Sequence, residues 1–292
     1  TVSARSAWWL AMRPATLTAS AAPVLVGSGA AWADGVFSFW PALAALLGAS
    51  LLQVGANFAN DVFDFERGAD NHDRLGPQRA TQQGWITAAQ MKRAMWLAFA
   101  GAAVVGVYLT FLAGWPVFAL GLLSIAAAYL YTCGPRPYGY LGLGDLAVFV
   151  FFGFGAVAGT YYVQALSVSS LAWIASIPIG ALATAILVVN NLRDIETDAR
   201  ANKHTLAVRL GDGPTRKYYL LLLAVAYLAP VWLWWSGRAD TWVLLPLLSL
   251  PLAVQLAARM RHDSGLALNG SLVRTARLEV VYGLLFALGL AL

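Results

Sequence analysis

A single cysteine, Cys133, leaves the chain without an internal disulfide and without any cysteine-based zinc cluster. The three histidines, His72, His204 and His262, have no metal-site spacing and read as loop residues. Charge is scarce too: Asp, Glu, Lys and Arg make up 11% of 292 residues, against about a quarter in a soluble domain. No segment is of low complexity and none reads as a linker, so a single domain over residues 1–292 is expected. A signal peptide is not expected either, because the first apolar stretch lacks a clean cleavage site and is followed by eight more. The net charge of +5 would admit a nucleic-acid partner, but the basic residues are scattered through short loops, and none is expected.

What the chain has instead is apolar sequence. Hydrophobic residues make up 60% and the mean hydropathy is +0.66, the composition of an integral membrane protein. Nine stretches approach the ~20 residues that a membrane-crossing helix needs, over roughly 15–33, 39–60, 92–112, 115–132, 143–164, 170–190, 217–236, 241–259 and 273–292. The expected fold is therefore all-α, with about nine transmembrane helices around a central cavity and cytoplasmic loops over it. With nine spans, all 19 Lys and Arg except Arg238 fall on one side. The positive-inside rule makes that side cytoplasmic, together with the N-terminus. In a bacterium this describes a multi-pass protein of the cell (inner) membrane.

The chain is organised around Asn190-Asn191-Leu192-Arg193-Asp194-Ile195-Glu196-Thr197-Asp198, at the end of an apolar run. Asn190, Asp194 and Asp198 stand at i, i+4 and i+8, which on a continuous helix share one face within roughly 80°. An earlier stretch repeats the design: Asn57, Asp61 and Asp64 stand at i, i+4 and i+7 where another apolar run turns polar. A carboxylate at the bilayer centre costs on the order of 3 kcal/mol, so such residues need a partner or a polar cavity. Two acidic helix ends in a membrane protein call for a cation between them.

Local signals mark the rest. Residues 1–14, with Trp8, Trp9, Arg5 and Arg13, suit an interfacial helix. The first span is rich in small residues, which permits close packing. Gly68 is placed as a helix C-cap, with Asp70 beyond it, and Thr87-Ala-Ala-Gln90 as the first turn of the third span. The intervening loop, with His72, Asp73, Arg74 and Arg79, reads as a lid over the acidic site. Gly114-Trp115-Pro116 closes a hairpin, and the Pro- and Gly-rich stretch from Tyr131 to Asp145, which carries Arg136, cannot continue a helix.

Mg²⁺ prefers oxygen ligands and binds through one or two carboxylates plus substrate phosphates. Two carboxylate faces, each followed by a basic loop, therefore match a phosphorylated substrate held through Mg²⁺, and the membrane setting implies a lipid tail. A polyprenyl diphosphate suits this best: its C–O bond ionises as cations stabilise the leaving diphosphate, and aromatic rings shelter the allylic cation. Arg79 and Lys203, a few residues beyond the acidic motifs, are read as ligands. Arg67, Arg200 and Arg209 are read as topology determinants.

These residues resemble the UbiA superfamily of intramembrane aromatic prenyltransferases, and within it the 1,4-dihydroxy-2-naphthoate polyprenyltransferases of menaquinone biosynthesis. The resemblance rests on Arg13-Pro14, Asn60-Asp61-Val-Phe-Asp64 with Gly68 and Asp70, Gly76-Pro77-Gln-Arg79, Tyr131-Thr-Cys-Gly-Pro, Pro137-Tyr138-Gly-Tyr140-Leu-Gly-Leu-Gly-Asp145, Gly159-Thr-Tyr-Tyr-Val-Gln164, and 190–198 with Lys203 and Thr205. Relatives often carry a basic residue at Ala15 and glycine at Cys133. The resemblance implies that the naphthoate ring attacks the prenyl cation at its carboxyl-bearing carbon and loses CO₂, giving demethylmenaquinol. It implies that Asn57, Asp61, Asp64, Asn190, Asp194 and Asp198 bind Mg²⁺–diphosphate, the four aspartates as metal ligands, with Arg79 and Lys203 assisting. Asn60 and Arg136 join the substrate-binding candidates, and Tyr131 is placed beside the cation. Tyr161 and Tyr162, near the far end of their span, are assigned to packing. A sibling acting on 4-hydroxybenzoate is the nearest alternative. A transporter is a more distant one, because its charged sites usually sit near the midplane on broken helices.

Overall fold

The computed structural model describes residues 3–69 and 75–292, and within them the chain is helical, without a β-strand. Asp70, His72, Asp73 and Arg74 lie outside the described residues. Helix α1 (Ala4–Met12) is capped by Ser3, whose side chain accepts from the Ser6 N–H. Arg13, at φ 52°, turns the chain into α2 (Pro14–Ala33). Helix α3 (Phe39–Glu66) has 28 residues and is thus ~42 Å long, more than the ~30 Å hydrocarbon layer. The expected second span stopped at residue 60; the helix runs on through Asp61 and Asp64. It ends as anticipated at Gly68, φ 73°, where the Ala69 N–H donates to the Asp64 carbonyl at 2.9 Å.

Helix α4 (Ala88–Ala113) opens on the reciprocal Thr87–Gln90 cap that the sequence signals. Gly114 and Pro116 lead into α5 (Trp115–Leu130), and a loop with one 3₁₀ turn, Tyr138–Leu141, follows. The next span is α6 (Gly144–Val148), a π-helical stretch Phe149–Ala158, and α7 (Gly159–Ala165). Then come α8 (Ser170–Arg193), α9 (Ile195–Arg200), α10 (Leu206–Leu210) and α11 (Asp212–Trp235). A 3₁₀ segment, Thr241–Ser249, continues as α12 (Leu250–Arg259), and α13 (Ala267–Ala291) ends the bundle.

One expectation needs correction. The 190–198 stretch is not one continuous helix. Asp194, at φ −97° and ψ 9°, ends α8, and α9 starts anew at Ile195. There Asp194 is held by the side chain of its neighbour Arg193, and its carbonyl accepts from Thr197 Oγ1 as well as from the Asp198 N–H. Not all nine expected spans qualify by length and composition. Among the described residues six do: Phe39–Glu66, Ala88–Ala113, Gly144–Ala165, Ser170–Arg193, Asp212–Trp235 and Thr241–Arg259. Trp115–Leu130 is apolar but shorter, and α2 and α13 are not among the six.

Between helices in lipid the hydrophobic effect is weak, so association depends on close packing. The small residues of α2 serve this. A Cβ at Gly27 would lie 2.4 Å from the Val157 carbonyl, and one at Gly29 would lie 2.6 Å from the Ala287 carbonyl. The result is three separate cores. One joins α2, the π-helical stretch, α8, α11 and α13 through Val26, Val157, Ile179, Leu182, Tyr219 and Phe286. A second joins α1, α3 and α4 through Ala7, Phe58, Val62, Met91, Met95 and Phe99, and a third, smaller one joins α4, α5 and α7 through Leu109, Val117 and Val163. A cavity of about 670 Å³ lies among them.

Candidate active site

Each acidic motif belongs to a different core, α3 carrying one and α8–α9 the other, and the cavity is lined by residues of both. On α3, the two Asp61 oxygens accept from the backbone N–H groups of Ala80 and Thr81, at 3.1 and 3.0 Å. Asp61 thereby ties down the loop that carries Arg79, and Arg79 Nη2 lies 3.6 Å from Asp64 Oδ2. The Asn57 amide donates to the Met12 carbonyl and to Thr16 Oγ1, both at 2.9 Å, joining the α1–α2 corner to α3. Asn60 lines the cavity, and its buried Oδ1 has no hydrogen-bond partner among the described residues.

On the second motif, Arg193 is buried and aims its guanidinium back along its own helix. Nε donates to Asp194 Oδ1 at 2.8 Å, and Nη2 donates to Asp194 Oδ2 and to Asn190 Oδ1. Lys203 folds back on α9: its N–H donates to the Asp198 carbonyl at 2.8 Å, and its Nζ lies 3.5 Å from Asp198 Oδ1. Asp198 Oδ2 is buried without a hydrogen-bond partner among the described residues. Burial lifts the Asp198 carboxyl to about 6. Lys203 pulls it down, while Asp194 and Asp64 push it up, so the three carboxylates share one field across the cavity.

Tyr140 connects the two motifs. Its hydroxyl donates to Asp64 Oδ1 at 2.8 Å, and the Lys203 ammonium lies 5.4 Å from its ring centre. Arg67 stacks on the same ring at 5.6 Å while donating to the Thr132 and Gly134 carbonyls. Tyr131 lines the cavity beside this cluster and meets Tyr138 edge-on at 5.3 Å. Burial, then Asp145, Tyr138, Asp64 and Asp198, raise its hydroxyl well above the usual tyrosine range and keep it neutral. Two glycines seat it. A Cβ at Gly139 would lie 2.7 Å from the Tyr131 carbonyl, and one at Gly144 would lie 3.0 Å from the Tyr131 hydroxyl. The Tyr-Gly-Tyr-Leu-Gly-Leu-Gly-Asp run is thus a mould for Tyr131.

Of the residues singled out in the sequence, Asn57, Asn60, Asp64, Arg79, Tyr131, Asn190 and Lys203 line the cavity. Asp61, Asp194 and Asp198 are buried and are not among the lining residues. Arg136 is exposed on its loop and is not brought to the cavity. Tyr161 and Tyr162 bond to Asp34 Oδ2 and the Ala113 carbonyl, away from the acidic end, which agrees with packing. Arg193 and Tyr140 escaped notice although both lie inside the highlighted motifs. For Arg193 the signal was present: a basic residue next to Asp194 that also reaches Asn190 when the helix breaks.

The cavity has two characters. Arg79, Arg193, Lys203, Asp64 and Asn60 form a charged end, and Leu52, Val105, Leu109, Val117, Leu120 and Phe152 form apolar walls. Such a site takes an anionic headgroup with a long apolar tail. Among the described residues no three His, Cys, Asp or Glu side chains are arranged to hold a metal ion by themselves. A hard cation shared between one or two carboxylates and a substrate phosphate needs less, and the orphan Asp198 Oδ2 in a shared acidic field fits that donor chemistry.

Comparison with known proteins gives the same picture. The chain is 41% identical to a 1,4-dihydroxy-2-naphthoate octaprenyltransferase of Escherichia coli (strain K12), over 100% of this chain and 97% of that protein. It is 45% identical to one of Mycobacterium tuberculosis, over 88% and 87%. Among solved structures, an apo UbiA homologue from Aeropyrum pernix K1 superposes with a TM-score of 0.70 at 14% identity, covering 93% of this chain and 96% of that one. A UbiA homologue from Archaeoglobus fulgidus bound to DMAPP and Mg²⁺ gives 0.64 at 15% identity, covering 95% and 98%. Residues 20–268, which hold every cavity-lining acidic and basic group apart from Arg13, match the UbiA prenyltransferase family, and the chain belongs to it.

Proposed function

We propose that this chain transfers a polyprenyl group from a polyprenyl diphosphate to 1,4-dihydroxy-2-naphthoate, with loss of CO₂, giving demethylmenaquinol. The observation that carries the reading is the two-character cavity: one chamber joins a basic and acidic end to apolar walls. The naphthoate as acceptor follows from the relatives at 41% and 45% identity.

Asp61, Asp64, Asp194 and Asp198 would hold Mg²⁺, which when bound supplies Lewis-acid neutralisation of the diphosphate. Arg79, Lys203 and Arg193 add fixed positive charge where the leaving group gathers negative charge. Asn57, Asn60 and Asn190 offer amides to its oxygens; Arg136 would have to swing inward to contribute. Tyr131, a neutral phenol at the junction of charged end and apolar wall, shelters the allylic cation. The apolar walls keep water from capturing that cation before the aromatic ring does. The ring carbon bearing the carboxylate forms the new C–C bond, the C–CO₂⁻ bond breaks, and its electron pair restores the aromatic ring.

The chain 1–292 acts as one membrane-embedded domain of nine spans, with α2, α5 and α13 joining the six, in the bacterial inner membrane with N-terminus and site loops cytoplasmic. Purified protein given a polyprenyl diphosphate and either aromatic acid tests the chemistry. Prenylated naphthoate with one CO₂ per turnover, abolished by chelating Mg²⁺ and restored by adding it back, is expected. Clean prenylation of 4-hydroxybenzoate with its carboxylate retained, and no naphthoate turnover, overturns the assignment.

A further inference from the structure

Arg193 Nη1 leaves the acidic motif altogether and donates to Asn269 Oδ1 on α13 at 2.8 Å. Asn269 then passes the connection on: its Nδ2 donates to the Leu75 carbonyl at 2.9 Å, 194 residues away in sequence. The amide's orientation follows from its neighbours. A guanidinium only donates and a carbonyl only accepts, so the flipped amide would oppose like groups at both ends. Leu75 begins the segment in which Pro77, Gln78 and Arg79 line the cavity. The far end of that segment is already held by Asp61 through the Ala80 and Thr81 N–H groups. One end of the Arg79 loop is therefore fastened to the first acidic motif, and the other end reaches the second through one side chain.

We propose that Asn269 is a positioning residue for the diphosphate end of the cavity: it joins the Leu75–Arg79 loop to Arg193, so that the two cations are set in place together. The proposal rests on the reading of that end as a diphosphate site. It assigns to α13, which carries none of the acidic motif, a part in headgroup binding.

Asn269→Asp, Asn269→Leu and Asn269→Gln separate the two halves of the link. Aspartate keeps an acceptor for Arg193 but turns an oxygen on the Leu75 carbonyl; leucine loses both bonds; glutamine retains both groups one methylene further out. Hydrogen exchange on the metal-free protein without substrate should speed up at residues 75–83 by roughly 5- to 10-fold in both Asp and Leu variants, the worth of one lost hydrogen bond. Exchange at 190–198 should quicken in the leucine variant alone. Binding of geranyl thiodiphosphate with Mg²⁺, which presents the headgroup without ready ionisation, should weaken by about tenfold in the same two variants. Their kcat/KM for the prenyl diphosphate should fall by about tenfold, and glutamine should restore part of the loss. Unchanged exchange at 75–83 in Asn269→Asp, unchanged thiodiphosphate affinity, or a kcat loss at constant affinity each overturns the role. Wild-type protein that does not bind the thiodiphosphate overturns the reading of the cavity and this role with it. The wild-type control tells that case apart from failure of the link alone.

Discussion

The Tyr140 hydroxyl donates to Asp64 Oδ1 at 2.8 Å from a loop 76 residues further along the chain. Because Lys203 lies over the same ring, one side chain sets the first acidic motif against the cation that follows the second. Tyr140→Phe removes the hydrogen bond and keeps the ring. A bond to a charged acceptor is worth about 1.5–3 kcal/mol, so kcat/KM should fall by roughly one to two decades. Tyr140→Leu, which also removes the ring from beneath Lys203 and Arg67, should fall further. Steady-state kinetics on the two variants decide it, and Tyr140→Phe with full activity would mean that the contact does not register the motifs.

Asp194→Asn keeps size but removes charge from the shared acidic field, and it leaves Arg193 one acceptor there in place of two. An electrostatic contribution of about 3–4 kcal/mol in the transition state corresponds to about two to three decades in turnover. Arg200→Ala, whose charge is read as a topology determinant, should stay near wild type. The fold should survive Asp194→Asn, because Asn190 and Asn269 still accept from the buried Arg193. Turnover of purified, monodisperse protein in saturating Mg²⁺ is the measurement; equal behaviour of the two variants removes the diphosphate site.

The Asp198 carboxyl titrates at about 6, raised chiefly by burial. In the metal-free protein a carboxyl raised above its unfolded value binds protons more tightly when folded. Its contribution to stability is therefore present at low pH and is lost as pH rises through about 6. Metal binding runs the other way, since Mg²⁺ needs the carboxylate. Affinity should fall as pH drops below about 6, by about tenfold per unit for one competing proton. Lys203→Ala removes a lowering influence and should move this limb to higher pH. Mg²⁺ titrations between pH 5 and 8 test both, and a limb that stays put in Lys203→Ala would detach Asp198 from the metal.

The acidic motifs, the Thr87 cap and the Gly68 terminus could be read from the chain because each is written in residues within one or two helical turns. The break at Asp194 could not. The i, i+4, i+8 spacing assumes a continuous helix, and no Gly or Pro in the stretch signals the interruption at Asp194. The Tyr140–Asp64 and Asn269–Leu75 contacts join segments 76 and 194 residues apart, where no period connects donor to acceptor. The π-helical stretch was equally silent, since Phe149–Ala158 is apolar on all sides and the close backbone approach of Gly153 to Gly180 joins two separate spans. Arg136 is a different case: a conspicuous arginine in a rigid loop, exposed and not among the cavity-lining residues.

Topology can be checked without catalysis. In a Cys133→Ala background, single cysteines at Gln83 and Asp240, both exposed, should react with impermeant maleimide from opposite faces of sealed vesicles. Labelling of both from one face would break the nine-span arrangement and the cytoplasmic placement of the loops.

The cavity-lining residues Gly106, Gly121 and Ala49 belong to none of the three cores. At Gly106 and Gly121 an added Cβ would meet nothing within 4 Å. Evolution can therefore reshape the chamber at these positions at small thermodynamic risk, narrowing it residue by residue while the packed cores stay intact. A lineage of such proteins is free to drift among tails of different length and rings of different outline, with the charged end left alone.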